Sequence, residues 1–428
     1  MKFPFWPDFT GYRNIELGLS RVYELLQRLD NPHLKIPPTI HLAGTNGKGS
    51  TLSFLREIFT QSGFKVNTYT SPHLVNFNER ITLAGQEIYD DFLNDILREC
   101  KNAAEKSPAI PVTFFEGITV AAFLAFSRVK ADILLLETGM GGRLDATNVL
   151  PKVLCSIITP IAFDHTDFLG KTLSKIAFEK AGIIKKSCPV IIGRQKPSAL
   201  KTLENQAKIM GATTKVFSRD WKIFKKQNGF LFDGFGKKIS LPLPSLAGEH
   251  QIENAGAAIA AALNQNKFRI EEKAIKSALQ KTFWPARLQK IESGKFFKIL
   301  PKNSELYLDG SHNLQGSVTL EKFLRQQKNK KIFVIFSMLQ DKDCAGFLKK
   351  IAPQVDHLVA IAIPEESKSR EAKEIAMIAK KVGIKSESAE DFLEGFKKIL
   401  NLKKGDEPAL ILVCGSLYLA GSFLDQNK

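Results

Sequence analysis

Long hydrophobic runs are missing from this chain of 428 residues. The longest uncharged apolar stretch, Ala409–Leu424, has 16 residues and is broken by Gly415-Ser416 and Gly421-Ser422. A membrane-spanning helix takes about 20 apolar residues, so this stretch reads as a buried strand, a Gly-Ser turn and a helix start. Met1–Thr10 has no apolar h-region, and no secretory signal is expected. Cysteine is scarce: five residues, at 100, 155, 188, 344 and 414, with no CxxC spacing and an odd total. They read as reduced core thiols of a cytoplasmic protein. There is no long basic block either, although the net charge is +17. The lysines are scattered, and the 31 phenylalanines lie in apolar runs rather than on a basic face. A solvated lysine-rich surface is expected, with no nucleic acid and no membrane as partner. Fixed-period repeats and low-complexity segments are absent.

What is present is alternation. Hydrophobic residues make up 44% and charged residues 25%, the balance of a soluble globular protein, and the length suits two domains. Strand-like runs at Ile40–Ala43, Val66–Thr70, Ile133–Glu137, Val153–Thr159 and Val190–Ile192 alternate with helical patterns at Ser50–Gln61, Ile118–Ser127 and Thr172–Ala181. That order predicts an α/β fold with a mostly parallel sheet, whose ligands gather at the carboxyl ends of its strands. Phe217–Ile239 lacks a helical period and predicts a small antiparallel excursion. A second alternating section follows, with strands at Tyr307–Asp309, Ile332–Phe336, Leu358–Ile363 and Leu410–Cys414. The expected boundary is at Ser293-Gly294-Lys295, giving domains 1–294 and 295–428.

His41–Thr51 reads HLAGTNGKGST between the first strand and the first long helix. Strand, glycine loop with Lys and Ser/Thr, then helix is the order of a phosphate-binding loop. Glycines let backbone N–H groups crowd onto phosphate oxygens, Lys48 adds a point charge, and a hydroxyl reaches Mg2+. The general pattern has glycine where Leu42 stands and Ser/Thr where Gly49 stands, so the alternative is a plain glycine-rich turn. A nucleoside triphosphate and a carboxylate substrate would both suit the positive charge of the chain.

Histidine is also sparse. Of seven, five (His41, His73, His165, His250 and His312) stand in motif-like surroundings. Ser71-Pro72-His73-Leu74 with Asn76–Arg80 reads equally as a substrate loop or as a self-bonded surface connection. Thr113 and Glu116 have the spacing of a capping box, the favoured reading of Glu116 from spacing alone; the other places its carboxylate near Mg2+. Glu137–Asn148 opens at a strand's end and carries glycines, Arg143 and Asp145, pointing to a ligand, or to an Arg143–Asp145 pair that holds the loop. His165, in Asp164-His165-Thr166-Asp167, reads as a metal ligand or as a His held by its Asp neighbours. Lys180 reads as a solvated helix lysine. Asp309–Asn313 reads as a turn or a nucleotide-contacting loop.

Nine segments, HLAGTNGKGST, SPHL with FNERI, ETGMGGRLDATN, FDHTDFLG, EKAGII, GEHQIENA, WPARLQ, LDGSHN and CGSLYLA, occur in order, and the resemblance they carry runs from about Leu34 to Leu419. Together they resemble the folylpolyglutamate synthase and dihydrofolate synthase family of Mur-ligase-like amide ligases. The resemblance implies a P-loop domain followed by a smaller Rossmann-like domain. It implies ATP-dependent addition of L-glutamate to dihydropteroate, to reduced folates, or to both, through an acyl phosphate, with both substrates the expected scope. Gly47, Lys48, Gly49 and Ser50 then hold the triphosphate. Ser71, Glu116 and His165 hold Mg2+, of which two ions are expected. Lys180 is a catalytic lysine with Lys48 and His165, and resembles one that is carbamylated. Asn254, Arg287, Asp309 and His312 contact the nucleotide, and Leu144, Asp145 and Ala146 contact the pteroate. Domain closure around ATP, a monomer and a cytoplasmic place in folate biosynthesis and one-carbon metabolism are further implications. Ala286 stands where many members have Gly, and Ser311 where Ala is usual.

Rival readings carry less. A Mur peptidoglycan ligase usually has a nucleotide-sugar domain before its loop, and only about 40 residues precede this one. A P-loop GTPase-like switch would need NKxD, which the chain lacks.

Overall fold

The structure, a computed structural model, describes residues 4–8, 17–403 and 406–428; part of Met1–Thr10 lies outside them. Among the described residues no helix is long and apolar enough to cross a membrane. The chain forms two compact units, Lys2–Ser245 with Glu249–Phe283, and Leu246–Gly248 with Trp284–Lys428.

The first unit is built on eight strands: β1 (Thr39–Ala43), β2 (Val66–Tyr69), β3 (Ile81–Leu83), β4 (Gln86–Glu87), β5 (Ile133–Glu137), β6 (Cys155–Ile158), β7 (Val190–Ile192) and β8 (Thr214–Val216), in the order β4-β3-β2-β5-β1-β6-β7-β8. β2, β5, β1, β6, β7 and β8 are parallel, and β3 and β4 add an antiparallel edge. All residues of β1, β5 and β6 are buried, as expected of strands covered on both faces. From β1 the chain moves to β2 on one side; after β5 it crosses to β6 on the other. The end of β1 is therefore the point where strand order reverses, the usual ligand crevice of such sheets.

Helices α1 (Ser20–Arg28), α2 (Lys48–Gln61), α3 (Asp90–Glu105), α4 (Phe114–Arg128), α5 (Thr166–Leu169), α6 (Leu173–Ala181), α7 (Pro197–Ile209) and α8 (Glu249–Asn264) belong to this unit. α4 is buried continuously from Glu116 to Phe126 and carries one hydrophobic core with α1 and α3. A second core joins Ile158, Val190 and Ile192 to α6 and α7. The Phe217–Ile239 excursion is a three-stranded antiparallel sheet, β9 (Trp221–Lys226), β10 (Gly229–Gly234) and β11 (Lys237–Leu241).

The second unit has β12 (Gln289–Ile291), β13 (Ser304–Asp309), β14 (Lys331–Phe336), β15 (His357–Ala360), β16 (Ser386–Ser388) and β17 (Ala409–Cys414), in the order β12-β13-β17-β14-β15-β16. Its own core includes Val334, Phe336, Leu410 and Leu412. β12 precedes residue 294 yet pairs antiparallel with β13. The Ala409–Leu424 stretch is β17, a Gly-Ser turn and the start of the helix Leu417–Gln426. All five cysteines are buried and free.

Candidate active site

The loop after β1 is braced from behind. Thr45 N–H and Asn46 N–H donate to the Pro160 carbonyl at 3.0 and 3.3 Å, and Thr45 Oγ1 donates to the Ala162 carbonyl at 3.1 Å. A Cβ at Gly44 would overlap Thr159 Oγ1. Gly47 has φ +86°, and a Cβ there would stand 2.5 Å from Asn254 Oδ1. Both positions therefore need glycine. Gly47 is the N-cap of α2 and no side chain caps it. The N–H groups of the first helical turn, Lys48 to Ser50, have no intrahelical acceptor by geometry and carry the positive end of the helix dipole. An anion is the partner this terminus fits.

Two lysines converge behind that turn. Lys48 Nζ donates to the Gly44 carbonyl at 3.3 Å and lies 3.7 Å from Glu137 Oε1 at the end of β5. Lys180 Nζ donates to the same carbonyl at 2.9 Å. The expectation of a solvated Lys180 is overturned: the side chain is buried in α6. The reason is packing, because α6 lies against the Glu137–Asn148 loop, where a Cβ at Gly142 would come within 2.9 Å of the Glu179 and Lys180 carbonyls. Burial, and then the Lys48 charge, pull the Lys180 ammonium down to about 7, against the opposing pull of Asp164 and Asp145.

The Glu137–Asn148 loop is organised around Asp145. Its carboxylate accepts from Met140 N–H at 2.8 Å, Thr147 N–H at 3.1 Å and Thr147 Oγ1 at 2.5 Å. Burial still pushes its pKa up. His41 Nε2 lies 2.9 Å from Thr147 Oγ1, whose proton goes to Asp145, so His41 donates there. The Arg143–Asp145 pair does not form. Arg143 instead bonds Glu179 Oε1 at 2.9 Å through Nη2 and lies over the Phe178 ring. Ala146 is buried with Asp145, and Leu144 is half-buried.

The Ser71–Arg80 loop is largely self-bonded. Glu79 accepts from the N–H groups of Leu74, Val75 and Asn76 at 2.7–2.8 Å. Arg80 Nε donates to His73 Nδ1 at 2.8 Å, and burial with the Arg80 charge drives His73 down to about 3. Ser71, after β2, is half-buried and outside that network. His165 follows β6 as the N-cap of α5, at φ +48°, its N–H donating to Asp164 Oδ1 at 3.0 Å. Glu116 makes the expected capping box: Thr113 N–H donates to Oε2 at 2.7 Å, and Thr113 Oγ1 accepts from Glu116 N–H at 3.4 Å. It also takes Arg21, a residue that no sequence signal singled out, with Arg21 Nη2 at 2.9 Å from Oε1. Among the described residues no three His, Cys, Asp or Glu side chains cluster as a metal site.

Asn254, on α8, donates to Gln251 Oε1 at 2.9 Å and faces Gly47. In the second unit Arg287, Asp309 and His312 gather at the end of β13. Asp309 accepts from Leu288 N–H at 2.8 Å and Ser311 N–H at 2.9 Å. Arg287 Nη1 donates to the Ala286 carbonyl at 2.9 Å, and His312 Nδ1 lies 2.9 Å from the Gly310 carbonyl. Ala286 and Leu288, on either side of Arg287, have φ +55° and +47°. The left-handed φ at 286 is one that glycine adopts without strain, where this chain has alanine.

Known proteins are similar to this chain in sequence and fold. A family model described as Mur ligase middle domain matches residues 42–262, and one described as Dihydrofolate synthetase, C-terminal domain, matches residues 292–426. A Bacillus subtilis dihydrofolate synthase/folylpolyglutamate synthase is 34% identical over 97% of this chain and 96% of its own. The chain belongs to the folylpolyglutamate synthase/dihydrofolate synthase family. The structure of E. coli FolC in complex with DHPP and ADP is similar with a TM-score of 0.86 at 29% identity, covering 97% of this chain and 94% of that one. A bifunctional folylpolyglutamate synthase/dihydrofolate synthase with Mn, AMPPNP and L-glutamate bound has a TM-score of 0.84 at 29% identity, covering 97% and 95%. The sequence-based family assignment and the α/β fold class hold. The uncapped loop between β1 and α2 stands in the matched middle domain, and Arg287 falls just outside the second matched segment.

Proposed function

We propose that this chain is an ATP-dependent ligase that joins L-glutamate to dihydropteroate and to reduced folates. The observation that carries the reading is the uncapped start of α2, Gly47 to Ser50, with Lys48 beside it and Lys180 on the same Gly44 carbonyl. Relatives named for both activities support it. A carboxylate oxygen of the pteroate or folyl substrate attacks the γ-phosphorus of ATP, and ADP leaves. The glutamate amine then attacks the acyl carbon; the C–N bond forms, the C–O bond to phosphate breaks, and the amine gives up a proton. The protein's share is positioning and charge neutralisation. Backbone N–H groups of Gly47 to Ser50 and the Lys48 ammonium hold the phosphates, with Asn254, Arg287, Asp309 and His312 as the remaining nucleotide contacts. Leu144, Asp145 and Ala146 contact the pteroate.

Ser71, Glu116 and His165 would hold a divalent cation, two Mg2+ ions in the full reading. A hydroxyl, a carboxylate and an imidazole suit such an ion in type, while the Glu116 oxygens are engaged by Arg21 and Thr113 here. When bound, the ion neutralises phosphate charge. Lys180, with a pKa near 7, holds enough neutral amine to react with CO2, consistent with a carbamylated lysine. A monomer in the cytoplasm completes the proposal.

Glutamate incorporation dependent on ATP, measured with dihydropteroate and with tetrahydrofolate offered separately, tests it. Product from both is expected. Product from tetrahydrofolate alone removes the dihydropteroate activity, and none from either removes the folate reading.

A further inference from the structure

A carboxylate has two oxygens and about four lone-pair sites. On Glu116 all are engaged. Arg21 Nε stands 3.2 Å from Oε1 and 3.0 Å from Oε2, Arg21 Nη2 stands 2.9 Å from Oε1, and Thr113 N–H stands 2.7 Å from Oε2. The Glu116 side chain is only 6% exposed, so solvent has little share in it. A cation that ligates this carboxylate has to displace a donor first.

The donors differ in how readily they leave. Thr113 N–H belongs to the cap of α4 and is fixed with the helix. The other three hydrogen bonds come from one guanidinium, which withdraws as a unit. Arg21 lies at the start of α1 with its side chain 20% exposed, so solvent can receive it. Asp145 is the contrast. Its donors are Met140 N–H, Thr147 N–H and Thr147 Oγ1, all from the loop it organises, and they leave only if that loop comes apart.

We propose that Arg21 is a stand-in cation at Glu116: it neutralises the buried carboxylate until a divalent cation takes its place. The proposal rests on the reading of Glu116 as a metal ligand. A bare carboxylate in this setting would pay heavily for desolvation, which the guanidinium offsets. A divalent ion and a guanidinium on the same oxygens repel each other, so occupancy is an exchange. Two consequences follow. Cation affinity is lowered by the work of breaking the Arg21 pair, and cation arrival removes the Arg21 tie between the start of α1 and α4, leaving their apolar packing in place.

Mn2+ titration of the full chain, followed by electron paramagnetic resonance with and without ADP, tests the exchange in wild type, Arg21→Gln, Arg21→Lys and Glu116→Gln. Arg21→Gln is expected to bind Mn2+ about tenfold more tightly, the scale of one charge-assisted hydrogen bond. It is expected to melt below wild type in EDTA, with the gap narrowing at saturating Mn2+. Arg21→Lys, with a single ammonium, should fall between. Mn2+ binding by Arg21→Gln equal to or weaker than wild type overturns the exchange, because Arg21 then supports the site or ignores it. Glu116→Gln separates the two failures: unchanged Mn2+ affinity removes Glu116 as a ligand and the exchange with it. Weakened affinity there, with Arg21→Gln unchanged, removes the exchange alone. If Arg21→Gln does not fold, Arg21→Lys decides on the same titration.

Discussion

Two strand–loop–helix units in this protein start alike and finish differently. In the first unit β1 runs into Gly44–Gly47 and then α2. In the second, β13 runs into Gly310–Asn313 and then the helix Leu314–Arg325. Both loops leave the carboxyl end of a parallel strand. The helix after β13 is closed by its own chain, since Asn313 Oδ1 accepts from Gly316 N–H at 3.0 Å and Asp309 takes Leu288 and Ser311 N–H. α2 has glycine as its N-cap and no side chain over its first turn. One terminus has no side chain over its first turn; the other has Gly316 N–H capped by Asn313, with Arg287 and His312 near its strand end. The difference comes from residue type at the cap, Gly against Asn, and not from the fold.

The comparison can be broken at several points. Lys48→Ala should remove most turnover, with kcat/KM falling about a hundred- to a thousand-fold while circular dichroism stays that of wild type; near-normal turnover would take the loop out of the mechanism. Gly47→Ala forces a Cβ against Asn254 Oδ1 at a left-handed φ. It should cost about 1–3 kcal/mol in urea unfolding and weaken ADP binding measured by calorimetry.

Lys180→Met tests the buried lysine beside the open loop. Its folded pKa, about 7, lies below the ordinary 10.5. Protonation is therefore resisted by the folded state. The resulting cost is absent above pH 10.5, grows as pH falls through the window, and levels off below about pH 7. In buffer free of CO2, Lys180→Met should be more stable than wild type by on the order of 4 kcal/mol at pH 7, with the gap closing toward pH 10 and turnover lost. A gap that does not depend on pH would mean that Lys180 is not the titrating group.

The smallest effect belongs to the closed terminus. Asn313→Ala should cost about 1 kcal/mol of stability by loss of the cap, with ADP affinity unchanged. A fall in ADP affinity matching that of Gly47→Ala would erase the distinction between the two loops.

Much of this protein is written locally. Glycine spacing and hydrophobic period placed β1, α2, β5 and the β9–β11 excursion, because each depends on residues a few positions apart. The capping box of Thr113 and Glu116 was legible for the same reason. The chemistry around those elements was decided by partners far along the chain. Arg21 meets Glu116 across 95 positions, Lys180 meets the Gly44 carbonyl across 136, and Arg143 turns to Glu179 across 36 instead of to its near neighbour Asp145. No spacing rule reaches so far. Burial sets the pKa of Lys180, and the Thr147–Asp145 hydrogen bond sets the tautomer of His41; both exist only once the sheet brings its strand ends together. The sequence by itself determined where the glycine loop and the strands and helices around it form; only the tertiary structure decided which charges they share, because desolvation and pairing act through space.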